Sequence, residues 1–215
     1  MAVYGLRLAG VLLMRLVLSV YFRLGIVGRE KIPASGPFVL VANHSSHLDA
    51  VALTCVLRPS HWYHAYAAAA QDYFFRDFLR ALMAIAFVNA MPFDRKDNPQ
   101  KSLELCAEVL QVSREAIILF PEGTRSLDGS MGRFRPGVGY LVAGTDIPVV
   151  PAYIQGAHQA WPKGNLVPKP FKVTLVIGDP RRYPQVQSTR EGALFIADDL
   201  HNAVLDLQKR RSRHV

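Results

Sequence analysis

The sequence predicts a single α/β domain, with a mixed, largely parallel central sheet flanked by helices, preceded by an N-terminal helical segment. Apolar runs of strand length alternate with stretches of helical periodicity, and this alternation is typical of a sheet whose strands are connected by helices. The 215 residues suffice for one sizeable core. We therefore divide the chain into the N-terminal segment, residues 1–27, and one domain, residues 28–215.

The first half of the domain contains one predicted strand and three predicted helices. Residues 38–42 form a continuous apolar run of strand length. Apolar residues at helical spacing predict a helix over residues 48–57, and an aromatic cluster of helical length predicts another over residues 73–83. The dipeptide Asn98-Pro99 is typical of a helix start, so a third helix is predicted over residues 100–112.

The second half contains three further strands and two helices. Residues 117–120 and 149–154 are apolar runs, and residues 172–177 alternate between apolar and polar, so all three are predicted to be strands. Residues 138–143 are predicted to be a short helix. The sequence Ser188-Thr189-Arg190-Glu191 matches a capping box, which predicts that the final amphipathic helix begins there.

The segment Asn43-His44-Ser45-Ser46-His47-Leu48-Asp49 directly follows the first predicted strand. On one continuous helix, His44 and Asp49 would diverge by roughly 140°, at about 100° per residue. The two side chains therefore meet only if the chain turns between the strand end at Asn43 and a helix start near Leu48. Since His has the ordinary pKa closest to neutrality, such a pair offers a general base and a carboxylate to orient it.

Three interpretations of this segment are open on its residues alone. The first is a plain strand-to-helix loop, in which Ser45 or Ser46 is the N-cap and the His residues are solvated. The second is a metallohydrolase site formed by His44, His47 and Asp49, weakly similar to the metallo-β-lactamase pattern H-x-H-x-D-H, in which two His positions are here filled by other residues. The third is an oriented general base.

Three further motifs follow in a fixed order. They are Pro92-Phe93-Asp94-Arg95, Phe120-Pro121-Glu122-Gly123-Thr124-Arg125-Ser126 and Val149-Val150-Pro151-Ala152-Tyr153. Together with the N-H-x-x-x-x-D segment, they resemble the glycerolipid acyltransferase family, typified by the bacterial 1-acylglycerol-3-phosphate acyltransferases. The resemblance runs from about residue 28 to residue 180. It favours the oriented base, because the first motif and F-P-E-G-T-R-S are specific as an ordered pair.

The resemblance implies an O-acyltransferase of phospholipid biosynthesis. Such an enzyme moves a fatty acyl group from a thioester, either acyl-CoA or acyl carrier protein, to a lysophospholipid hydroxyl. The expected acceptor is 1-acylglycerol-3-phosphate, with glycerol 3-phosphate, another lysophospholipid or an amino-lipid as alternatives. His44 is expected to deprotonate the acceptor, and Asp49 to orient it, as in the His–Asp half of a hydrolase triad. No cofactor or metal is expected, and no G-x-S-x-G elbow supports a Ser nucleophile.

The same resemblance assigns the acceptor's glycerol-phosphate group to Arg95, Glu122, Gly123 and Arg125. Glycine lets a ligand approach the backbone closely at residue 123. The guanidinium of Arg125 can bond phosphate oxygens through two parallel donors, which Lys cannot do. The structural alternative for this loop is an ion pair between Glu122 and a nearby Arg in an ordinary turn.

Composition bears on the partners of the chain. Half of the residues are hydrophobic and the formal net charge is +8, which suits an anionic lipid surface and anionic substrates. Nucleic acid also attracts basic proteins, but no recognition-helix or zinc-finger pattern supports it. Cys55 and Cys106 form no C-x-x-C unit, so they are predicted to be buried free thiols in a reducing compartment.

Residues 1–27 are mostly apolar but are interrupted by Arg7, Arg15 and Arg23. The uncharged runs between these charges are much shorter than the roughly 20 residues of a membrane-spanning helix. The three Arg residues fit one polar side of a helix, which predicts a membrane-interfacial helix or helix pair on the cytoplasmic face. The alternative is a surface helix covering the domain's own core. From another functional class, the chain could be a non-catalytic membrane-binding module.

Overall fold

The computed structural model describes residues 2–70, 82, 87–95 and 97–212. The helices are α1 (Ala2–Val20), α2 (Leu48–Val56), α3 (Pro99–Gln111), α4 (Gly137–Val142), α5 (Ala157–Ala160) and α6 (Arg190–Ser212), and Arg29–Lys31 and Pro59–His61 are single 3₁₀ turns. The strands are β1 (Gly25–Val27), β2 (Val39–Ala42), β3 (Ala65–Ala70), β4 (Ala90–Phe93), β5 (Ala116–Leu119), β6 (Val149–Gln155) and β7 (Thr174–Ile177).

The seven strands form one mixed sheet in the order β1-β7-β6-β2-β5-β3-β4. The five strands from β6 to β4 run parallel, while β7 is antiparallel to β6 and parallel to β1. This confirms the predicted α/β class. Because parallel strands end at the same edge of a sheet, the loops after β2, β4 and β5 lie along one edge, where ligands bind in open α/β folds.

The core lies on both faces of this sheet. In β2, Leu40 and Ala42 belong to the cluster beneath α1 and α2, whereas Val39 and Val41 belong to the cluster beneath α3, α4 and α6. Successive strand residues point to opposite faces, so a strand covered on both faces is apolar at every position. This accounts for the uninterrupted apolar run from which the strand was predicted.

Both predicted free thiols are confirmed. Cys55 and Cys106 are buried and unpaired with each other, one on each side of the sheet. Burial raises the pKa of each thiol to about 12, because desolvation disfavours the thiolate. These thiols are therefore packing residues rather than nucleophiles.

Helix α1 packs one side on the domain and exposes the other. Val11, Leu18 and Phe22, the last just beyond the helix, are buried in the core beside α2. The outer side exposes a row of large apolar residues: Leu8, Leu12, Leu13, Leu16 and Val20. Within the part of the chain that the structure describes, no helix is both long and apolar enough to cross a membrane. The helix thus covers the domain's own core and also carries a second, outward apolar face.

The N-terminal Arg residues do not share one outward polar side, contrary to the prediction. Arg7 is buried and its Nε donates to the Trp62 carbonyl at 2.5 Å, and burial lowers the pKa of Arg7 to about 10. Arg15 lies over the Trp62 ring, 5.3 Å from its centre. Arg23 is exposed beyond the helix and donates to the Pro170 carbonyl at 3.2 Å. The first two turn inward because a guanidinium bonds carbonyls and stacks on aromatic faces.

The boundary at residue 27 stays a prediction. The strand β1 pairs with β7, so the end of the N-terminal segment is part of the sheet. Most predicted elements are confirmed to within two or three residues, but β1, β3, β4 and α5 were not predicted. The helix predicted over residues 73–83 lies outside the described residues, apart from Leu82.

The two predicted helix starts have different outcomes. Asn98 caps α3 by accepting from the Lys101 amide at 3.1 Å, as predicted. The capping box at Ser188 is wrong by one residue, because the Thr189 hydroxyl accepts from the Gly192 amide at 3.1 Å. With Gly at the third helical position, no side chain there can reach back to complete the box.

Candidate active site

The turn between β2 and α2 brings His44 and Asp49 together. The His44 Nδ1–H donates to Asp49 Oδ2 at 2.9 Å, which leaves Nε2 as the acceptor nitrogen of a neutral imidazole. The Ser45 and Ser46 amides each donate to the same carboxylate oxygen at 2.7 Å. Asp49 is completely buried, while the His44 side chain is 20% exposed. The carboxylate is thus held from inside the protein, and the imidazole reaches the surface.

The loop after β5 holds His44 from the other side. The Phe120 ring stacks on the imidazole, with ring centres 4.0 Å apart and an angle of 15° between the planes. The His44 amide donates to Glu122 Oε1 at 2.7 Å, and the Ser126 amide donates to the His44 carbonyl at 2.8 Å. Backbone and ring are therefore both fixed, which is how a site keeps a general base in one orientation.

The Glu122 carboxylate connects two loops by hydrogen bonds. Its second oxygen, Oε2, accepts from the Gly132 amide at 2.9 Å, so the buried carboxylate joins the His44 turn to residue 132. Burial raises the pKa of Glu122, while its two amide hydrogen bonds oppose that rise. The structure thus places Glu122 in the site but aims both oxygens at backbone amides.

The remaining predicted binding residues lie at the same edge. Gly123 has a φ of 72°, a left-handed conformation that favours glycine, and a Cβ there would lie 2.9 Å from Arg135 Nε. Arg95 Nη1 donates to the Gly123 carbonyl at 2.5 Å. Burial of His47 lowers its pKa to about 4, and the nearby positive charge of half-buried Arg125 is the second cause. The structure thus places all six predicted site residues in or beside the two loops that follow β2 and β5.

A family model described as Acyltransferase matches residues 23–155, a range that contains both the His44 turn and the Glu122 loop. The chain belongs to the acyltransferase family. The predicted family resemblance is confirmed.

Relatives in this family are named as 1-acyl-sn-glycerol-3-phosphate acyltransferases. The protein from Chlamydomonas reinhardtii is 30% identical over 159 residues, which are 73% of this chain and 46% of that protein. The protein from Bacillus subtilis is 25% identical over 167 residues, 78% of each chain. This chain spans less than half the length of the algal and plant acyltransferases that it matches.

A solved acyltransferase shares the fold. The crystal structure of the 1-acyl-sn-glycerophosphate acyltransferase from Thermotoga maritima matches with a TM-score of 0.71 and 24% identity, covering 95% of this chain and 81% of that one. It supports the same single α/β domain with a mostly parallel sheet.

His44 and His47 make different contacts in the turn between β2 and α2. The His47 ring faces Trp161, with centres 5.6 Å apart, whereas His44 stacks on Phe120. Across the described ranges, no group of three or more His, Cys, Asp and Glu side chains could hold a metal ion. The three residues of the metallohydrolase interpretation are thus committed to other contacts.

Two features of this acyltransferase-family site were not predicted. Phe120 belongs to a predicted motif but has no predicted role of its own, although an aromatic residue at a strand exit near a predicted base is a signal for ring stacking. The second feature is a cleft of about 520 Å³ beside the Glu122 loop, lined in part by Thr124, Ser126, Arg133 and Arg135. Its Arg residues come from a loop whose position no local pattern indicates.

Proposed function

We propose that this chain is an O-acyltransferase that moves a fatty acyl group from an acyl thioester to 1-acylglycerol-3-phosphate, in phospholipid biosynthesis. The observation that carries the proposal is the buried Asp49 oxygen that holds the His44 ring at 2.9 Å, with the other ring nitrogen available at the strand edge. The names of the relatives supply the substrate class. Either acyl-CoA or acyl carrier protein is the donor, and no cofactor is required.

The chemistry is a direct transfer assisted by a general base. His44 Nε2 takes the proton of the acceptor hydroxyl as its oxygen attacks the thioester carbonyl. The new carbon–oxygen bond forms, the carbon–sulfur bond breaks, and the imidazolium returns the proton to the departing thiolate. Asp49 stabilises that imidazolium and fixes its orientation. The His–Asp pair acts on a substrate hydroxyl, so no covalent acyl-enzyme is needed.

Acyl transfer by the purified chain tests this function. Each donor, acyl-CoA or acyl carrier protein thioester, is combined with 1-acylglycerol-3-phosphate, glycerol 3-phosphate, another lysophospholipid and an amino-lipid. The proposal expects the highest kcat/KM with 1-acylglycerol-3-phosphate. A preference for another acceptor would move the assignment within the family, and lipid binding without transfer to any acceptor would support the membrane-module alternative.

The acceptor's phosphate is proposed to lie beside Arg95 and Arg125, next to the cleft that Arg133 and Arg135 line. Guanidinium groups bond phosphate through charge-assisted pairs of hydrogen bonds. Because Gly123 has no side chain, the Arg135 side chain can lie directly against its backbone, with Nε 2.9 Å from where a Cβ would be. Glu122 contributes indirectly, because it holds the loop in place.

Arg125→Ala is expected to raise the acceptor's KM by roughly ten- to a hundredfold, since hydrogen bonds to a charged group contribute about 1.5–3 kcal/mol. Arg125→Lys should recover only part of the loss, because it restores the charge without the two parallel donors. Initial rates with each substrate varied in turn measure both constants. Arg182→Ala is the matched control, because that exposed Arg lies near the opposite edge of the sheet. A raised donor KM with an unchanged acceptor KM would assign Arg125 to the donor instead.

The outer face of α1 is proposed to lie in the lipid interface, on the cytoplasmic side of the membrane. Its exposed leucines supply the apolar contact, and the basic excess of the chain suits anionic headgroups. Free thiols at Cys55 and Cys106 agree with a reducing compartment. The acceptor is itself an amphiphile, so a site next to the membrane would meet it there.

Leu16→Glu is expected to weaken binding to anionic vesicles at least tenfold, because one buried Leu contributes about 1.5–3 kcal/mol. Substitution is a sharper test than deletion of α1, which would remove the core residues Val11 and Leu18. Vesicle sedimentation gives the partition constant. Val112→Glu, at another exposed apolar position at the end of α3, is the control and should bind normally. Equal binding by both variants would refute this orientation of α1.

A further inference from the structure

An exposed apolar loop connects α5 to β7. Leu166 is 92% exposed and Val167 is 73% exposed, and these large side chains stand at the tip of residues 162–172. The Trp161 indole donates to the Asn165 carbonyl at 2.8 Å, and the Lys169 amide donates to the Ala160 carbonyl at 2.7 Å. The base of the loop is therefore held by hydrogen bonds, while its apolar tip points away from the core.

The loop continues the outer surface of α1. The Tyr21 hydroxyl donates to the Pro168 carbonyl at 3.0 Å, and Arg23 donates to the Pro170 carbonyl at 3.2 Å. Tyr21 and Val20 at the end of the helix are themselves exposed. The apolar tip and the apolar helix face thus belong to neighbouring elements, which one flat partner could contact together.

The charges around this surface have one sign. The loop itself carries Lys163, Lys169 and Lys172, and Arg23 bonds it from the end of the N-terminal segment. Residues 147–178 and 1–29 contain no Asp or Glu. Apolar side chains on a loop whose own charges are all positive are complementary to an anionic lipid leaflet, where each basic residue near the surface adds attraction. A protein partner would not require that all the charges on the loop be positive.

The start of the loop is joined to the catalytic turn. The Ser46 hydroxyl donates to the Trp161 carbonyl at 2.7 Å, Ser46 and Pro162 form an antiparallel bridge, and the His47 ring contacts the Trp161 ring. A displacement of the loop therefore also moves the segment that carries His44.

We propose that residues 162–172 are a second lipid-contacting element, which inserts Leu166 and Val167 into the leaflet beside α1 and fixes the His44 turn relative to the membrane surface. This rests on the membrane location in the proposed function. Two anchoring elements define a plane, whereas α1 alone leaves the domain free to rotate about the helix. The loop thus orients the site towards an acceptor held in the leaflet.

A polarity-sensitive fluorophore on Val167→Cys tests the insertion directly, in the chain of 215 residues. Because Cys55 and Cys106 are buried, only the introduced thiol is accessible to the label among the described cysteines. Vesicles of phosphatidylglycerol and phosphatidylcholine should shift the emission to the blue. The same label on Val112→Cys, a position 75% exposed at the end of α3, should not shift.

A double variant, Leu166→Ser with Val167→Ser, tests the energetic contribution. We expect its dissociation constant from the same vesicles to rise roughly ten- to a hundredfold, with an unchanged melting temperature because both side chains are exposed. At saturating vesicles, transfer to a vesicle-held acceptor should still be slower, while transfer to a soluble short-chain acceptor should be unchanged.

The outcomes separate this inference from the proposed function. If the unmodified chain does not bind vesicles at all, the membrane location fails and the inference fails with it. If it binds, and Leu16→Glu weakens binding while the label at residue 167 stays in water, only the inference is refuted. A shift of that label with protein concentration alone would indicate a second copy on the loop, and would also overturn it.

Discussion

Replacing His44 with Ala is expected to lower kcat/KM by about 10²–10⁴-fold, the usual contribution of a positioned general base. The side chain supplies the nitrogen that accepts the hydroxyl proton, and Ala offers no substitute. The substitution should leave folding intact. The imidazole is partly exposed, and the turn is held mainly by its backbone amides, which donate to the carboxylates of Asp49 and Glu122. Release of free thiol from the acyl donor measures the rate, and thermal unfolding checks the fold.

His47→Ala is the matched control for that experiment. His47 lies in the same turn, but its ring contacts Trp161, and burial lowers its pKa to about 4, so it stays neutral at neutral pH. Its loss should change the rate far less than the loss of His44. If both variants were equally inactive, and a chelator abolished activity of the unmodified chain, the metallohydrolase interpretation would regain support.

The parts of the fold that were predicted depend on local signals. Buried parallel strands are apolar at every position, and β2 and β5 show this pattern completely. The Asn98-Pro99 start of α3 is likewise a local arrangement, in which the side chain bonds an amide three residues later. Such elements can be recognised in a single sequence because their neighbours in the chain decide them.

The missed strands depend on tertiary context. The β3 sequence Ala65-Tyr66-Ala67-Ala68-Ala69-Ala70 has the composition of a helix, and it is extended because β4 and β5 pair with it on either side. Pro92 argues against a strand, but β4 is the outermost strand of the sheet, where a missing amide donor is tolerated. Neither fact is visible before the sheet order is known.

The site divides in the same way. His44 and Asp49 are five residues apart, so a turn after a strand is enough to suggest that they meet. The stacking of Phe120 on His44 and the Glu122 bond to the His44 amide join residues more than seventy positions apart. Only the parallel pairing of β2 with β5 brings those loops together. The inward turn of Arg7 to Trp62 was missed for the same reason.

Asp49→Asn is expected to lower kcat by about 10²–10⁴-fold with little change in KM, because it disables the base without touching the substrate pocket. In the native protein, Oδ2 accepts from two amides and from His44 Nδ1. If the oxygen of the introduced carboxamide takes that position, the hydrogen bonds survive, but the negative charge that stabilises the imidazolium is lost.

The other orientation of the introduced carboxamide is worse. An amide nitrogen at the Oδ2 position would face two backbone N–H groups, and it would favour the His44 tautomer whose Nε2 carries the proton and cannot accept one. In the first orientation, the new NH₂ occupies the position of Oδ1, which is buried and has no hydrogen-bond partner among the described residues. That NH₂ stays unpartnered, as Oδ1 is in the native protein. The three hydrogen bonds that Oδ2 accepts, however, lose the carboxylate charge that strengthens them, so the free energy of unfolding should also fall.

Steady-state kinetics and urea unfolding of Asp49→Asn measure both effects. Asp146→Asn is the control, since it removes the same charge from an exposed residue near the opposite edge of the sheet, and it should match the native protein in both assays. A stability loss with normal kcat would reduce Asp49 to a structural anchor of the turn. Loss of kcat at full stability would mean instead that the charge and tautomer dominate and that the buried NH₂ finds an acceptor.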